Sequence, residues 1–261
     1  MVVFPTAKIN LGLHIHAKCA DGFHYIETVF YPVYSFSDIL EIVRTNKSDY
    51  FFQQSGISIE NQDGINMVEK AYLLLQKNYN LPSVEMFLYK QIPVGAGLGG
   101  GSSDAAFALK LINRLFEINL SNEKLKEYAA ELGSDCSFFI DNTPAIGIGR
   151  GDKLLPCSIP QLADKHIVIV TPDVFISTAE AYTCCRPMKR TASLLELISR
   201  PLQEWKELLV NDFEQTIFPL YPQLQKIKED LYKRGAIYAS LSGSGSSLYG
   251  IFDKNVNNDS I

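Results

Sequence analysis

The feature that most constrains this chain is a glycine-rich stretch at residues 93–106, PVGAGLGGGSSDAA. It follows a strand-like run at 84–92 and leads into a run with helical spacing at 103–116. Glycine costs backbone entropy, but it lets the chain wrap closely around oxygen atoms. The N–H groups and the dipole at the start of a helix also favour an anion. Because the stretch contains no Lys, Glu or Asn of the kind typical of a linker, the pattern favours a phosphate-binding loop over a flexible surface loop.

Other known glycine loops fit this stretch less well. The Walker A loop needs a lysine after its last glycine, where this chain has Ser102, and the protein-kinase motifs VAIK, HRD and DFG are absent from the sequence. Gly95, Gly97 and Gly100 match the dinucleotide fingerprint GxGxxG. That fingerprint needs a strand further on, where this sequence predicts a helix at 121–132. A dinucleotide-dependent oxidoreductase and a nucleotide-binding regulatory module stay open as alternatives.

Hydrophobic periodicity predicts an α+β fold in two parts. The first part has predicted strands and helices at 11–17, 27–33, 38–44, 50–60 and 84–92 (strands) and at 67–78, 103–116 and 121–132 (helices). The second part begins with a predicted strand at 167–172. Predicted helices follow at 177–185, 191–210 and 222–234, and a pair of strands flanks residues 241–247. A polar turn between Pro156 and Pro160 places the boundary after residue 158, which gives domains 1–158 and 159–261.

Composition excludes several classes of function. The 261 residues carry a net charge of −5 and no basic stripe, which argues against a nucleic-acid partner. No stretch reaches the ~20 apolar residues that span a bilayer, and the N-terminus lacks the pattern of a secretory leader. The five cysteines form no CxxC pair, which is typical of reduced thiols. We expect a cytoplasmic protein without a membrane or nucleic-acid partner, as a monomer or weak homodimer.

Three motifs together resemble those of the GHMP small-molecule kinases, a superfamily that includes galactokinase, homoserine kinase and mevalonate kinase. The glycine loop is similar to the family's phosphate loop. PTAKINLGL (5–13) followed by ADGFHYIET (20–28) resembles an N-terminal signature, and LSGSGSSLYGIF (241–252) resembles the third motif. The resemblance covers almost the whole chain and implies an ATP-dependent kinase with a small-molecule alcohol as acceptor.

Within that superfamily, GLGGGSS and DGFH resemble the members that phosphorylate a cytidine diphosphate conjugate of a branched polyol in non-mevalonate isoprenoid biosynthesis. A homoserine or mevalonate type of kinase remains the alternative. The implied fold joins an N-terminal part like domain 2 of ribosomal protein S5 to a ferredoxin-like C-terminal part. The chain ends in polar DKNVNNDSI (253–261), where the family continues with a helix and a strand. We therefore expect a C-terminal part truncated at that end, with a disordered tail.

The resemblance also implies the catalytic residues, Lys8 and Asp135. Asp135 would orient the acceptor hydroxyl and accept its proton, and Lys8 would keep Asp135 ionised and offset charge on the acceptor oxygen. By residue type alone, Lys8 would be read as an edge-strand lysine and Asp135 as a turn residue.

The cofactors implied are ATP and Mg²⁺. The implied ATP-binding residues are those of the loop: Pro93, Val94, Gly95, Ala96, Gly97, Leu98, Gly99, Gly100, Gly101, Ser102 and Ser103. The third glycine motif is Ser242, Gly243, Ser244 and Gly245. Mg²⁺ would arrive with ATP rather than at a dedicated protein site, touched by Ser102, Ser103 or Asp104. For Asp104 we favour a different role, that of complementing the dipole in the first turn of the helix.

The implied acceptor-binding residues are Asn10, Phe23, His24, Thr178 and Tyr182. Phe23 and Tyr182 match positions that stack on the cytosine ring. By residue type both could instead be core aromatics, and for Tyr182 the two interpretations are balanced. His24 is placed to hydrogen bond with the edge of the base, and Asn10 to reach the polyol. Thr178 is a weaker candidate for contact with the ligand.

A pair of histidines, His14 and His16, has the i, i+2 spacing that can hold a metal ion on one strand face. No cysteine or carboxylate is spaced along the sequence to complete such a site. We therefore predict a pair that faces solvent.

Overall fold

A computed structural model describes residues 1–57 and 64–254. The strands, in chain order, are β1 (Val2–Val3), β2 (Thr6–Lys18), β3 (His24–Ser37), β4 (Ile39–Arg44), β5 (Phe51–Gly56), β6 (Val84–Lys90), β7 (Ala145–Gly149), β8 (Lys153–Pro156), β9 (Lys165–Val170), β10 (Tyr238–Leu241) and β11 (Leu248–Asp253). The α-helices are α1 (Met67–Tyr79), α2 (Gly100–Leu115), α3 (Asn122–Leu132), α4 (Cys136–Asp141), α5 (Thr178–Cys184), α6 (Leu194–Ile198), α7 (Trp205–Leu208), α8 (Glu214–Leu220) and α9 (Pro222–Lys233). Within the described residues, none of the helices combines the length and the hydrophobicity that a membrane span requires.

The chain divides into two compact units that alternate along the sequence. The first unit consists of Met1–Lys8, Pro32–Val94 and Gly99–Thr143. The second consists of Ile9–Tyr31, Gly95–Leu98 and the described chain from Pro144 onward. The second unit contains residues from both sides of residue 158. The domain boundary that the sequence places after residue 158 stays a prediction.

The first unit is built on a four-stranded sheet in the order β1-β4-β6-β5. Strand β6 pairs antiparallel with β4 and parallel with β5. Helix α2 packs against α1, α3 and α4, and its buried face includes Ala106, Leu109 and Ile112, which agrees with the helical spacing at 103–116. Ser121 caps α3 by accepting a hydrogen bond from the Lys124 N–H group, which confirms the predicted start of that helix.

The second unit contains most of the sheet β2-β3-β7-β8 and all of the sheet β10-β11-β9. The strand pair predicted around 241–247 is present, as antiparallel β10 and β11. The core of this unit is a cluster of buried apolar side chains that includes Leu13, Ile15, Ile26, Ile176, Phe213, Ile217, Leu224, Leu231, Leu241, Leu248 and Phe252. The expectation of a truncated and disordered C-terminal end concerns a tail of which residues 255–261 lie outside the described residues.

The single long helix predicted at 191–210 is wrong. The segment forms α6, a 3₁₀ turn at Leu202–Glu204 and α7. Pro201 interrupts it, because proline lacks the N–H group that an α-helix needs and disfavours helical backbone in the residue before it. The predicted strand at 50–60 is present as β5, and its residues 58–60 lie outside the described residues.

Candidate active site

Lys8 and Asp135 lie next to each other in the first unit. Lys8 is on β2, Asp135 immediately precedes α4, and their Nζ and Oδ2 atoms are 3.5 Å apart. The Lys8 side chain is 5% exposed and that of Asp135 is 32% exposed. Burial lowers the pKa of Lys8, while the charge and hydrogen bonding of Asp135 raise it. The pair thus presents a buried cation beside a carboxylate that solvent, and therefore a ligand, can reach.

The glycine loop passes directly beside this pair at Gly99. Gly99 has φ +70° and precedes the first residue of α2. A Cβ atom at Gly99 would lie 3.1 Å from Lys8 Cγ and 2.9 Å from the Phe139 ring, so only glycine fits there without displacing its neighbours. No described side chain caps the N-terminus of α2. The backbone N–H groups of its first turn are therefore available to an anion close to the Lys8 side chain.

In the second unit, the middle of the loop is held by the third glycine motif. Ser242 Oγ donates a hydrogen bond to the Gly97 carbonyl at 2.8 Å, and the Ser247 N–H group donates to the Ala96 carbonyl at 3.1 Å. Gly97 has φ +77°, and a Cβ atom there would lie 2.0 Å from the Ser242 carbonyl oxygen. Two motifs that are about 145 residues apart in sequence are thus joined by a side-chain and a backbone hydrogen bond.

The residues that open α2 have different environments. Burial raises the pKa of the Cys136 thiol to about 11, and hydrogen bonding with the Ser102 side chain opposes that shift. Ser103 is fully buried, and its hydroxyl has no hydrogen-bond partner among the residues that the structure describes. A buried polar group of this kind usually has a partner, so Ser103 differs from the other loop residues described here.

Asp104 belongs to a buried ionic cluster that the sequence analysis missed. Lys90 Nζ donates to Asp104 Oδ2 at 2.9 Å and also pairs with Asp38. Burial raises the pKa of Asp104 to about 7, with Lys90 opposing the shift and Asp38 adding to it. The signal available in the sequence was Lys90 itself, a lysine that ends a buried strand and therefore requires a partner.

The residues predicted to bind the cytosine ring are in the second unit. The ring of His24 stacks on that of Tyr182 with 4.7 Å between centroids, and Cys185 Sγ lies 3.6 Å from His24 Nε2. Phe23 is 56% exposed and lies instead against Arg150, whose guanidinium is 4.2 Å from the ring centroid. Burial, followed by the charge of a nearby lysine, lowers the pKa of His24.

Asn10 and Thr178 both lie against the third glycine motif. Asn10 Nδ2 donates to Thr28 Oγ1 at 2.9 Å, and its Oδ1 atom is 3.3 Å from where a Cβ of Gly243 would lie. The hydroxyls of Thr178 and Ser244 are 3.3 Å apart. Both predicted acceptor-binding residues therefore lie beside the motif that holds the loop.

The prediction that His14 and His16 face solvent is wrong for His14, which is fully buried. Burial lowers its pKa to about 3, with smaller contributions from the charges of Arg190 and His16. A carboxylate that sequence spacing did not reveal, Glu27, comes from the neighbouring strand β3, and its Oε2 atom is 3.4 Å from His16 Nε2. Adjacent strands place such side chains together, whatever their separation in sequence.

Comparison with known proteins identifies the class. Residues 66–150 match the family model for the N-terminal domain of GHMP kinases, and residues 193–260 match that for the C-terminal domain. A 4-diphosphocytidyl-2-C-methyl-D-erythritol kinase of Bacteroides fragilis is 51% identical over 254 residues, 97% of this chain and 92% of that protein. One from Chlorobium limicola is 38% identical over 256 residues, 95% of this chain and 87% of that protein.

Solved structures agree with these sequence matches. A crystal structure of 4-(cytidine 5′-diphospho)-2C-methyl-D-erythritol kinase superposes with a TM-score of 0.81 at 30% identity, covering 96% of this chain and 90% of that one. The Methanococcus jannaschii mevalonate kinase shares the fold, with a TM-score of 0.74 at 14% identity over all of this chain and 93% of that one. The chain belongs to the GHMP kinase family, which confirms the predicted α+β fold and an ATP-dependent kinase. Within that family it groups with the 4-diphosphocytidyl-2-C-methyl-D-erythritol kinases.

Proposed function

We propose that this protein transfers the γ-phosphoryl group of ATP to the 2-hydroxyl of 4-diphosphocytidyl-2-C-methyl-D-erythritol, giving the 2-phosphate and ADP in non-mevalonate isoprenoid biosynthesis. The observation that carries the proposal is the Lys8–Asp135 pair beside the uncapped N-terminus of α2. The names of the relatives, at up to 51% identity over nearly the whole chain, support this choice of acceptor.

Phosphoryl transfer passes through a loose transition state, so positioning and charge stabilisation matter more than a strong base. In this proposal the loop at residues 93–103 holds the phosphates of ATP through its backbone N–H groups, which begin at Val94 because Pro93 has none. The Asp135 carboxylate orients the acceptor hydroxyl and takes its proton as the new O–P bond forms and the bond to ADP breaks. The Lys8 ammonium offsets the negative charge that builds up around the acceptor oxygen.

Mg²⁺ is part of this proposal and would arrive with ATP. Ser103 fits a ligand at the phosphates, because its buried hydroxyl has no partner among the described residues. Asp104 Oδ1 also has no hydrogen-bond partner among the described residues. Asp104 nevertheless fits less well, because its other oxygen is bound to Lys90 and burial raises its pKa, which disfavours the charged form that would bind a cation. When bound, the ion would neutralise charge on the β- and γ-phosphate oxygens.

The acceptor would be held by its base and by its polyol. Phe23 and Tyr182 would stack on cytosine, a contact that gives affinity without sequence specificity, and His24 would hydrogen bond with the edge of the base. Asn10 and Thr178 would contact the rest of the acceptor. Phe23 is 56% exposed, so its ring is accessible to the base in this proposal.

The proposal also includes a cytoplasmic location and a monomer or weak homodimer. All five cysteines are free thiols, as expected in a reducing compartment.

The test is an acceptor panel. Purified protein with Mg-ATP is given 4-diphosphocytidyl-2-C-methyl-D-erythritol, homoserine or mevalonate in parallel, and ADP release is measured. We expect turnover only with the cytidylated acceptor. Turnover with homoserine or mevalonate instead would support a kinase activity but contradict the proposed acceptor. Binding of NADH at micromolar concentration would favour the dinucleotide-dependent oxidoreductase.

A further inference from the structure

His14, His16 and Glu27 form a cluster that the proposed reaction does not use. The two histidines lie on the same face of β2, and Glu27 is on β3, the next strand in the sheet. The candidate ligand atoms of the three side chains all lie within 4.8 Å of one another. His14 is fully buried and Glu27 nearly so, whereas His16 is partly exposed.

The His14 imidazole is the feature that packing alone does not explain. Both of its ring nitrogens are buried, and neither has a hydrogen-bond partner among the described residues. A neutral imidazole has one donor and one acceptor, and leaving both unsatisfied in the interior is costly. A metal ion would use one of these nitrogens as a ligand.

We infer that His14, His16 and Glu27 form a binding site for a divalent transition-metal ion, with Zn²⁺ as the best match to the donor set. His16 Nε2 and Glu27 Oε2 are already 3.4 Å apart, close to the separation of two ligands on a tetrahedral Zn²⁺ with bonds of about 2.0 Å. Two imidazoles and one carboxylate leave the fourth position to water. Mg²⁺ and Ca²⁺ prefer sites made only of oxygen atoms.

The surroundings of the cluster are compatible with a cation. The Leu194 N–H group donates to Glu27 Oε1 at 2.8 Å, which fixes the carboxylate as an outer-shell partner fixes a metal ligand. The charge of Arg190 acts on His14, and Arg190 is paired with Asp212. Because Asp212 offsets that charge, Glu27 supplies the net negative charge of the cluster.

The test is a metal titration of the full chain, without a histidine tag and after removal of metal with a chelator. Zn²⁺ is added in competition with a chromophoric chelator, and Co²⁺ is added separately to record its visible absorption. We expect one ion per chain and a Co²⁺ spectrum typical of four or five ligands. Neither readout depends on kinase activity, so a failure of the proposed acceptor would leave this result unaffected.

Variants identify the ligands. His16→Gln changes the partly exposed ligand and should fold normally, and Glu27→Gln keeps an oxygen for the Leu194 N–H group. We expect each to weaken Zn²⁺ binding by more than the roughly 10- to 100-fold typical of losing an outer-shell partner. His166→Gln, on β9, is the matched control and should bind like the unchanged protein. Absence of binding, several weak sites, or equal affinity in all three variants would overturn the inference and leave an ordinary ion pair beside a buried histidine.

Discussion

Phe23, which we propose stacks on the cytosine ring, is held by one contact and is otherwise exposed. One face of its ring is covered by the Arg150 guanidinium, which is itself paired with Asp21. Its ring is nevertheless 56% exposed. The contact with Arg150 restricts the ring and leaves other parts of it accessible for stacking on a base.

Replacing Arg150 by Ala should therefore weaken acceptor binding. A cation–π contact at an exposed site contributes about 0.5–1 kcal/mol, so we expect KM for the cytidylated acceptor to rise roughly 2- to 5-fold, with KM for ATP unchanged. Steady-state kinetics with each substrate varied in turn measures this. Arg200→Ala, which removes an exposed arginine paired with Glu204, is the control. An equal rise in both KM values would contradict the assignment.

The sequence predicted the roles of some of these residues and not of others. The resemblance to known motifs supplied Lys8 and Asp135, although neither would be singled out by its own type. Arg150 and Glu27 could not be predicted, because their partners are defined by which strands are adjacent and not by spacing along the chain. Lys90 gave a signal, a charge at the end of a buried strand, but not the identity of its partners.

At the scale of elements, the loop and helix α2 were the most predictable part of the fold. Gly95, Gly97 and Gly99 adopt positive φ, a conformation that favours glycine. The apolar residues of α2 are regularly spaced. The broken helix after residue 191 was less predictable, because α6 and α7 are each too short to show a full amphipathic period.

Substitution by alanine should have different effects on stability at two glycines of the loop. At Gly97, φ is +77° and the new Cβ would be 2.0 Å from the Ser242 carbonyl oxygen, so Gly97→Ala should reduce the free energy of unfolding by about 3 kcal/mol. At Gly101, inside α2, the nearest atom would be Met67 Cγ at 3.9 Å. Gly101→Ala should leave stability unchanged or raise it by about 0.5 kcal/mol.

Denaturant unfolding of the two variants, monitored by circular dichroism, checks this prediction. If Gly97→Ala were as stable as Gly101→Ala, the close contact between the loop and the third motif would be wrong.

At the scale of the whole molecule, three motifs spread over almost all of the chain, in the right order, were enough to predict the family and its two-part α+β fold. Sheet order was not predictable. The strand order β1-β4-β6-β5 pairs strands that are far apart along the chain, and hydrophobic periodicity carries no information on such pairing. For the same reason, the amino-acid sequence does not show that the segments of the two units alternate.

The buried cluster at Lys90 should make global stability depend on pH. Folding raises the pKa of Asp104 to about 7, whereas the unfolded residue titrates near its ordinary value of about 3.9. Between these values the folded state holds a proton that the unfolded state has lost. The contribution of this group to stability therefore falls as pH rises from about 4 to about 7, by at most ~1.4 kcal/mol per pH unit.

Asp104→Asn should lack this dependence. We expect the free energy of unfolding of the unchanged protein, relative to that of the Asn variant, to fall between pH 5 and pH 7 in urea titrations. Asp173→Asn, an exposed position, should instead parallel the unchanged protein at every pH. Parallel pH profiles for Asp104→Asn and the unchanged protein would contradict a raised pKa in the cluster.

The central claim is that the Lys8–Asp135 pair performs the transfer. The measurement is turnover of Asp135→Asn and Lys8→Met with saturating Mg-ATP and cytidylated acceptor, together with the affinity of each variant for ATP. Asp141→Asn, at the other end of α4, is the matched control.

General base catalysis typically contributes 10²- to 10⁴-fold, so we predict that Asp135→Asn loses at least about 100-fold in kcat. Lys8→Met should show a comparable loss, while both variants bind ATP normally and Asp141→Asn remains active. Turnover of Asp135→Asn at the rate of the unchanged protein would contradict the account.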